Sequence, residues 1–392
     1  MFMKTDVLGS FVTQAVQDMQ PSGIRKFFDL IDGKKDIISL GVGEPDFVTP
    51  KHVRDACIKA LEKGRTSYTP NSGLPELREA IAEYLDASFQ VSYDPDSEVL
   101  VTVGSSEGID LALRSIITEG DEILVPVPCY ISYSPITSIG GGKPVEVETT
   151  AANHFKLTAE AIAAKITPRT KALILCYPNN PTGGVMNYED WLPIARLVEE
   201  HNLFVISDEI YAELTYSTRH VSFASLPGMK ERTLLVSGFS KAFAMTGWRV
   251  GYACGPRDVI AAMLKIHQYT VMCAPIIGQI AAIESLKHGL EEKDYMIDSY
   301  NQRRRMFVHG LRQIGLPCHE PFGAFYAFPS ISHTGLSSEQ FAERLLNEGK
   351  VVTVPGNVFG QGGEGFIRCS YATSLPQLEE SLTRIEKFLK TI

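Results

Sequence analysis

Lys241 is preceded by Ser240 and followed by an uncharged stretch that ends in Gly247-Trp248-Arg249. A desolvated lysine amine condenses with a carbonyl to give a Schiff base. A lysine standing alone is most often a solvated surface cation. Arg249, eight residues on and the next charge in the chain, changes that reading. An amine and a guanidinium so spaced suit an aldehyde that carries a phosphate. Ser207-Asp208-Glu209-Ile210-Tyr211 closes an apolar run. An acid leaving a buried strand is costly unless paired or hydrogen-bonded. A protonated pyridine nitrogen would be such a partner, and Tyr211 could reach the same ligand. Asp208 would serve equally as a plain helix N-cap. In Asn179-Asn180-Pro181-Thr182-Gly183 a proline-stiffened turn could aim an asparagine amide at a ligand oxygen, although a generic loop uses the same residues. Gly104-Ser105-Ser106 opens a helix, where free amides and the helix dipole favour phosphate. On its own it reads equally as a cap.

Short apolar runs at 99–103, 123–127, 172–176, 203–207, 233–236 and 250–254 must position these residues. They alternate with amphipathic stretches such as 107–117, 188–201 and 257–271. Continuous apolar strands separated by helices predict an α/β fold with a largely parallel sheet covered on both faces. Ligands in such sheets bind beyond the carboxyl ends of the strands, where most of these polar motifs fall. After about residue 285 the texture changes to a long charged helical stretch (286–315). Short segments follow at 323–330, 351–355 and 366–370, then a last helix over 375–392. The expected division is a large domain over 51–285 and a smaller α+β domain over 286–392, with the N-terminal segment 1–50 packing on the latter.

Composition narrows the function. The 392 residues are 44% hydrophobic and 21% charged, and 37 basic against 46 acidic side chains leave a net charge of −9. That balance disfavours nucleic acid and anionic membranes as partners, since both reward a basic surface. It leaves room for a small anionic substrate. The seven cysteines include no CxxC pair, which reads as a reduced, cytoplasmic protein. The first twenty residues are interrupted by Lys4, Asp6 and Asp18 and do not read as a signal peptide. No apolar run approaches the ~20 residues that span a bilayer.

In their order and spacing the motifs resemble the class I aminotransferases of pyridoxal-phosphate fold type I. The resemblance spans nearly the whole chain. It is carried by Gly41-Val42-Gly43-Glu44-Pro45-Asp46-Phe47, Tyr68-Thr69-Pro70 with Gly73 and Pro75-Glu76-Leu77-Arg78, residues 180–183 and 208–211, and Ser240-Lys241 through Arg249. It implies a mostly parallel seven-stranded sheet and a homodimer with shared sites. Lys241 would carry pyridoxal 5'-phosphate as a Schiff base and shuttle the substrate proton. Asp208 would keep the pyridine nitrogen protonated, and Asn180 and Tyr211 would hydrogen-bond the ring oxygen. Tyr130 would stack on the ring. Gly104, Ser105, Ser106, Ser240 and Arg249 would hold the phosphate, with Tyr68 reaching the phosphate of the neighbouring subunit. Arg368, in Phe366-Ile367-Arg368-Cys369-Ser370, would grip the substrate α-carboxylate with its planar fork. Gly43, Tyr130, Asn180 and Ile24 would border the substrate.

The implied reaction moves an amino group from an L-amino acid to a 2-oxo acid, with 2-oxoglutarate as the expected acceptor. Aspartate, aromatic amino acids and acetylated diaminopimelate are the donors in view. Two alternatives share the fold: a C–S β-lyase and a non-catalytic regulatory relative. Retention of Lys241, Asp208, Arg249 and Arg368 together argues against the second. The chain departs from the family pattern at Gly238, where many relatives have a phosphate-binding serine. Its Ser105-Ser106 turn lacks the lysine of some relatives that prefer acidic substrates, and no second arginine is placed to take a side-chain carboxylate.

Overall fold

The computed structural model describes residues 11–21, 23 and 36–392; Ile24 lies outside the described residues. A two-residue strand, β1 (Ile38–Ser39), precedes the seven strands of the central sheet. These are β2 (Val99–Thr102), β3 (Glu122–Val127), β4 (Lys143–Glu148), β5 (Thr170–Cys176), β6 (Phe204–Asp208), β7 (Thr233–Gly238) and β8 (Gly251–Cys254). Their order across the sheet is β2-β8-β7-β6-β5-β3-β4. All neighbours are parallel except β8, which runs antiparallel to both β2 and β7. The six apolar runs are therefore strands. The seventh, β4, reads Lys-Pro-Val-Glu-Val-Glu and is only partly buried, because an edge strand meets solvent and breaks the apolar run.

Successive side chains of a strand face opposite sides. Leu124, Leu173, Leu175 and Val205 pack with Trp191 and Ile194 of the helix Tyr188–Glu200. Ile123, Val125, Ile174 and Ile206 pack on the other side with Ile109 and Leu113 of Gly104–Ile116 and with Ile260 and Met263 of Arg257–Thr270. Burial on both faces fixes the sheet in place. It also brings the carboxyl ends of the parallel strands, with their polar continuations, to one edge.

Beyond the sheet, β9 (Tyr326–Ala327), β10 (Val351–Val352), β11 (Val354–Pro355) and β12 (Ile367–Ser370) lie among the helices Leu290–Gln313, Ser338–Arg344 and Leu375–Leu389. Strands β11, β12 and β9 form an antiparallel sheet, and β1 pairs in parallel with β10. Leu40 extends that pairing: its N–H donates to Val352 O at 2.8 Å and its carbonyl accepts from Ser370 N at 2.7 Å. The segment that follows carries Gly43 over the carboxyl edge of the large sheet, and the Asp46–Arg303 ion pair (2.7 Å) holds it there. The stretch expected as one helix over 286–315 is two, Ile276–His288 and Leu290–Gln313, interrupted at Gly289. Glycine is the weakest helix former after proline, and the break falls on it. Among the described residues no helix is long and apolar enough to cross a membrane.

Candidate active site

Strand ends build the site. Residues at or just beyond the ends of β2, β3, β5, β6 and β7 present Ser105, Ser106, Tyr130, Asn180, Asp208, Tyr211, Ser240 and Lys241 to one cavity of about 390 Å³. Arg249, just before β8, joins them, and Gly43 and Arg368 enter from the far side. Gly104 stands at the rim with a positive φ of 75°. A Cβ there would lie 2.6 Å from Arg249 Nη2, so glycine is what lets the guanidinium close on the turn. Tyr68 is not part of this chain's cavity; it is 81% exposed.

Asp208 is buried. Its Oδ2 accepts from Tyr133 Oη at 2.7 Å and its Oδ1 from the Ile210 N–H at 3.2 Å. Burial pushes the carboxyl up to about 6, against the two hydrogen bonds that favour the charged form. Lys241 is half-buried and lines the cavity, and its Nζ donates to Gly43 O at 2.7 Å. Desolvation, then the positive charge of Arg368, brings its amine down to about 8. Tyr211 Oη lies 2.8 Å from Tyr326 Oη, and burial pushes both phenols up.

Arg368 is buried over the Tyr326 ring, 4.4 Å from guanidinium carbon to ring centre. Its Nη1 donates to Asn180 Oδ1 at 2.9 Å and its Nη2 to Gly41 O at 2.7 Å. That leaves the Asn180 NH₂ as the donor end. The Arg368 Nε is buried with no acceptor among the described residues. An orphaned guanidinium N–H in a cavity wall calls for an anion. A phosphorylated aldehyde with a ring nitrogen fits this set: an amine, a buried carboxylate, and a glycine-lined turn closed by an arginine. Gly238 lies tight against β8: a Cβ there would stand 3.0 Å from Gly251 Cα, so a serine would require the two strands to give by a few tenths of an ångström.

Sequence reasoning missed Tyr133 and Tyr326. Tyr133 lies three residues after Tyr130, where the helix Tyr133–Ile139 begins, and nothing in the sequence points it to Asp208. Tyr326 sits within Phe325-Tyr326-Ala327-Phe328 and reads as core.

Comparison with known proteins agrees with this geometry. The model of the family described as aminotransferase class I and II matches residues 35–385. An aspartate aminotransferase of Pyrococcus abyssi is 46% identical over 95% of this chain and 96% of its own. The aromatic-amino-acid aminotransferase 2 of Thermococcus litoralis is 44% identical over 97% and 98%. Among solved structures, the aspartate aminotransferase of Thermus thermophilus with maleate superposes with a TM-score of 0.92. It is 39% identical over 96% of this chain and 99% of that one. These relatives are named for amino transfer, which favours it over the β-eliminating and non-catalytic alternatives. The chain belongs to the class I and II aminotransferases, and as a transaminase of this fold it uses pyridoxal 5'-phosphate.

Proposed function

We propose that this transaminase draws its amino group from L-amino acids with uncharged, preferably aromatic, side chains. The cavity wall carries the proposal. Its cations among the described residues are Lys241, Arg249 and Arg368, each with a task, and the rest of the wall includes Ile109, Ile131, Tyr130 and Tyr326. Among the described residues a side-chain carboxylate there would lose hydration and find no cation free to pair with it. The acceptor, 2-oxoglutarate, rests on the resemblance alone. Kinetics with phenylalanine, tyrosine and aspartate test the donor: the aromatic pair should match or exceed aspartate in kcat/KM. A preference for aspartate of about tenfold or more (about 1.4 kcal/mol) would refute it.

When bound, the cofactor supplies an electrophilic carbon and a ring that accepts the electron pair freed at Cα. Arg368 takes the donor α-carboxylate. Lys241, neutral more readily than a free lysine, is the base for the Cα proton. Asp208, held by Tyr133, would keep a proton on the ring nitrogen, and Tyr211 and the Asn180 amide would donate to the ring oxygen. Tyr130 would lie against the ring. Ser105, Ser106, Ser240 and Arg249 would bind the phosphate beside Gly104. Gly43 admits the chain close to the substrate: a Cβ there would fall 2.6 Å from Tyr326 Oη.

We read the chain as a cofactor-binding unit over 51–285 and a smaller unit over 286–392 that takes in 1–50; the β1–β10 pairing supports the last point. A homodimer with shared sites is supported by Tyr68, Tyr269 and Met272, large apolar groups left exposed. Asn71 Nδ2 ties their two segments together by donating to Met272 O at 2.7 Å. Composition supports a cytoplasmic location.

A further inference from the structure

We infer that Glu107 and His267 are positioning residues for the turn that holds the cofactor phosphate, an inference that rests on the role given above to residues 104–106. The helix Gly104–Ile116 begins at Val103 with no side-chain cap from that residue. Glu107 supplies the bond instead, reaching back so that its Oε2 accepts the Val103 N–H. Its Oε1 lies 2.8 Å from His267 Nδ1. A carboxylate only accepts, so the Nδ1 hydrogen donates.

His267 belongs to the last turn of Arg257–Thr270 and is 0% exposed, and its Nε2 is buried with no partner among the described residues. An imidazole with an orphaned nitrogen is a poor core residue, since an apolar side chain of that size would fill the space without the penalty. What it contributes is the bond to Glu107.

The bond matters because a carboxylate in the first turn of a helix competes with phosphate for the same amides and the same dipole. Binding both oxygens elsewhere leaves the amides at 104–106 for the ligand. The turn is pinned from the other side as well: Thr102 Oγ1 donates to Gly104 O at 2.9 Å. The His267 carbonyl also accepts the N–H groups of Val271 and Met272, each at 3.0 Å, and Met272 O holds Asn71, three residues from Tyr68. One residue thus braces both segments given to phosphate.

Titrating apo-protein with pyridoxal phosphate and with pyridoxal, which lacks only the phosphate, separates this role from general support. His267→Ala should weaken the phosphate form about tenfold, as for loss of a hydrogen bond to a charged group. Pyridoxal itself should bind within a factor of about two of wild type. His267→Asn, whose amide N–H stands near the Nδ1 position, should restore the difference. Equal loss of both ligands, no loss of either, or failure of His267→Asn to restore would overturn the inference. If His267→Ala does not fold, Glu107→Gln decides. Its NH₂ must face one of the two donors, so the same phosphate-selective loss is expected, and an equal or absent loss overturns the inference. Ser106→Ala, run in parallel, isolates the parent reading. If wild type does not prefer the phosphate form, or Ser106→Ala leaves that preference intact, the phosphate assignment falls and this one with it. If Ser106→Ala is selective and the His267 variants are not, only the present inference falls.

Discussion

Lys241 and Asp208 are displaced from their ordinary ionisation in opposite senses, and each displacement can be measured. With the amine brought down to about 8, about a tenth of it is in the nucleophilic form at pH 7, against well under a hundredth at the ordinary value of 10.5. Capture of pyridoxal phosphate by apo-protein should therefore quicken with rising pH and level off above about 8. Stopped-flow absorbance follows it, and borohydride should then fix the label on the Lys241 peptide. A rate still climbing at the ordinary lysine value of 10.5, or label on another lysine, would remove Lys241 from its role.

For Asp208 the sign runs the other way. Its carboxyl titrates near 3.8 unfolded and about 6 folded, so the stability it allows is full below 3.8 and is lost as pH rises through 6. The loss is about 3 kcal/mol. Asp208→Asn escapes that penalty and keeps an acceptor for Tyr133, but its NH₂ then faces the Ile210 N–H. Its Tm relative to wild type should therefore shift in the variant's favour as pH rises through 6, while the single-turnover half-reaction slows by about 3 kcal/mol or more. A Tm difference that does not move with pH, or a near-normal half-reaction, would contradict the account of this carboxylate. Arg368→Lys keeps charge but loses the fork, and should cost phenylalanine and aspartate alike a few kcal/mol in kcat/KM. A loss confined to aspartate would mean that Arg368 reads the side chain.

At the scale of elements, the antiparallel β8 presses its first residue against the phosphate turn. A Cβ on Gly251 would meet Gly104 C and Ser105 N, both at 2.6 Å, and neither backbone atom can give way. Gly251→Ala should cost about 1–3 kcal/mol of stability and weaken cofactor binding as well, because the displaced backbone is the turn itself. Calorimetry and cofactor titration check both; a variant unchanged in either would show that strand and turn are not in this contact. The same geometry explains what was legible in the sequence. Apolar runs announce buried strands, and the polar residues at their ends announce where a ligand could sit, so Asp208, Asn180 and Lys241 could be singled out there, while their roles came from the resemblance. β4 could not, since an edge strand alternates. Nor could Tyr133, whose hydroxyl finds a purpose only when folding brings it to Asp208, 75 residues away in sequence. Glu107 read as nothing more than the start of a helix, because its partner lies 160 residues on.

Among the described residues Tyr68 takes no part in its own chain's cavity. It is 81% exposed, and Tyr269, on the segment joined to it through Asn71 and Met272, is 87% exposed. Two aromatic rings so exposed on connected segments mark a surface built to be covered. If a second copy covers it and each Tyr68 completes the other chain's phosphate site, the lesions of two variants should sort between sites in a mixed dimer. Pair a Tyr68→Phe chain with a Lys241→Ala chain. The site that uses Lys241 of the first chain borrows Tyr68 from the second, and both are intact. The other site carries both lesions. Cofactor should therefore bind the mixed dimer in two classes, one with wild-type affinity. Activity should rise on mixing two preparations of which one binds cofactor weakly and the other is inactive. Were Tyr68 to act within its own chain, each site of the mixed dimer would hold one lesion and no wild-type class would appear. A fully active monomer would dispose of the shared site altogether.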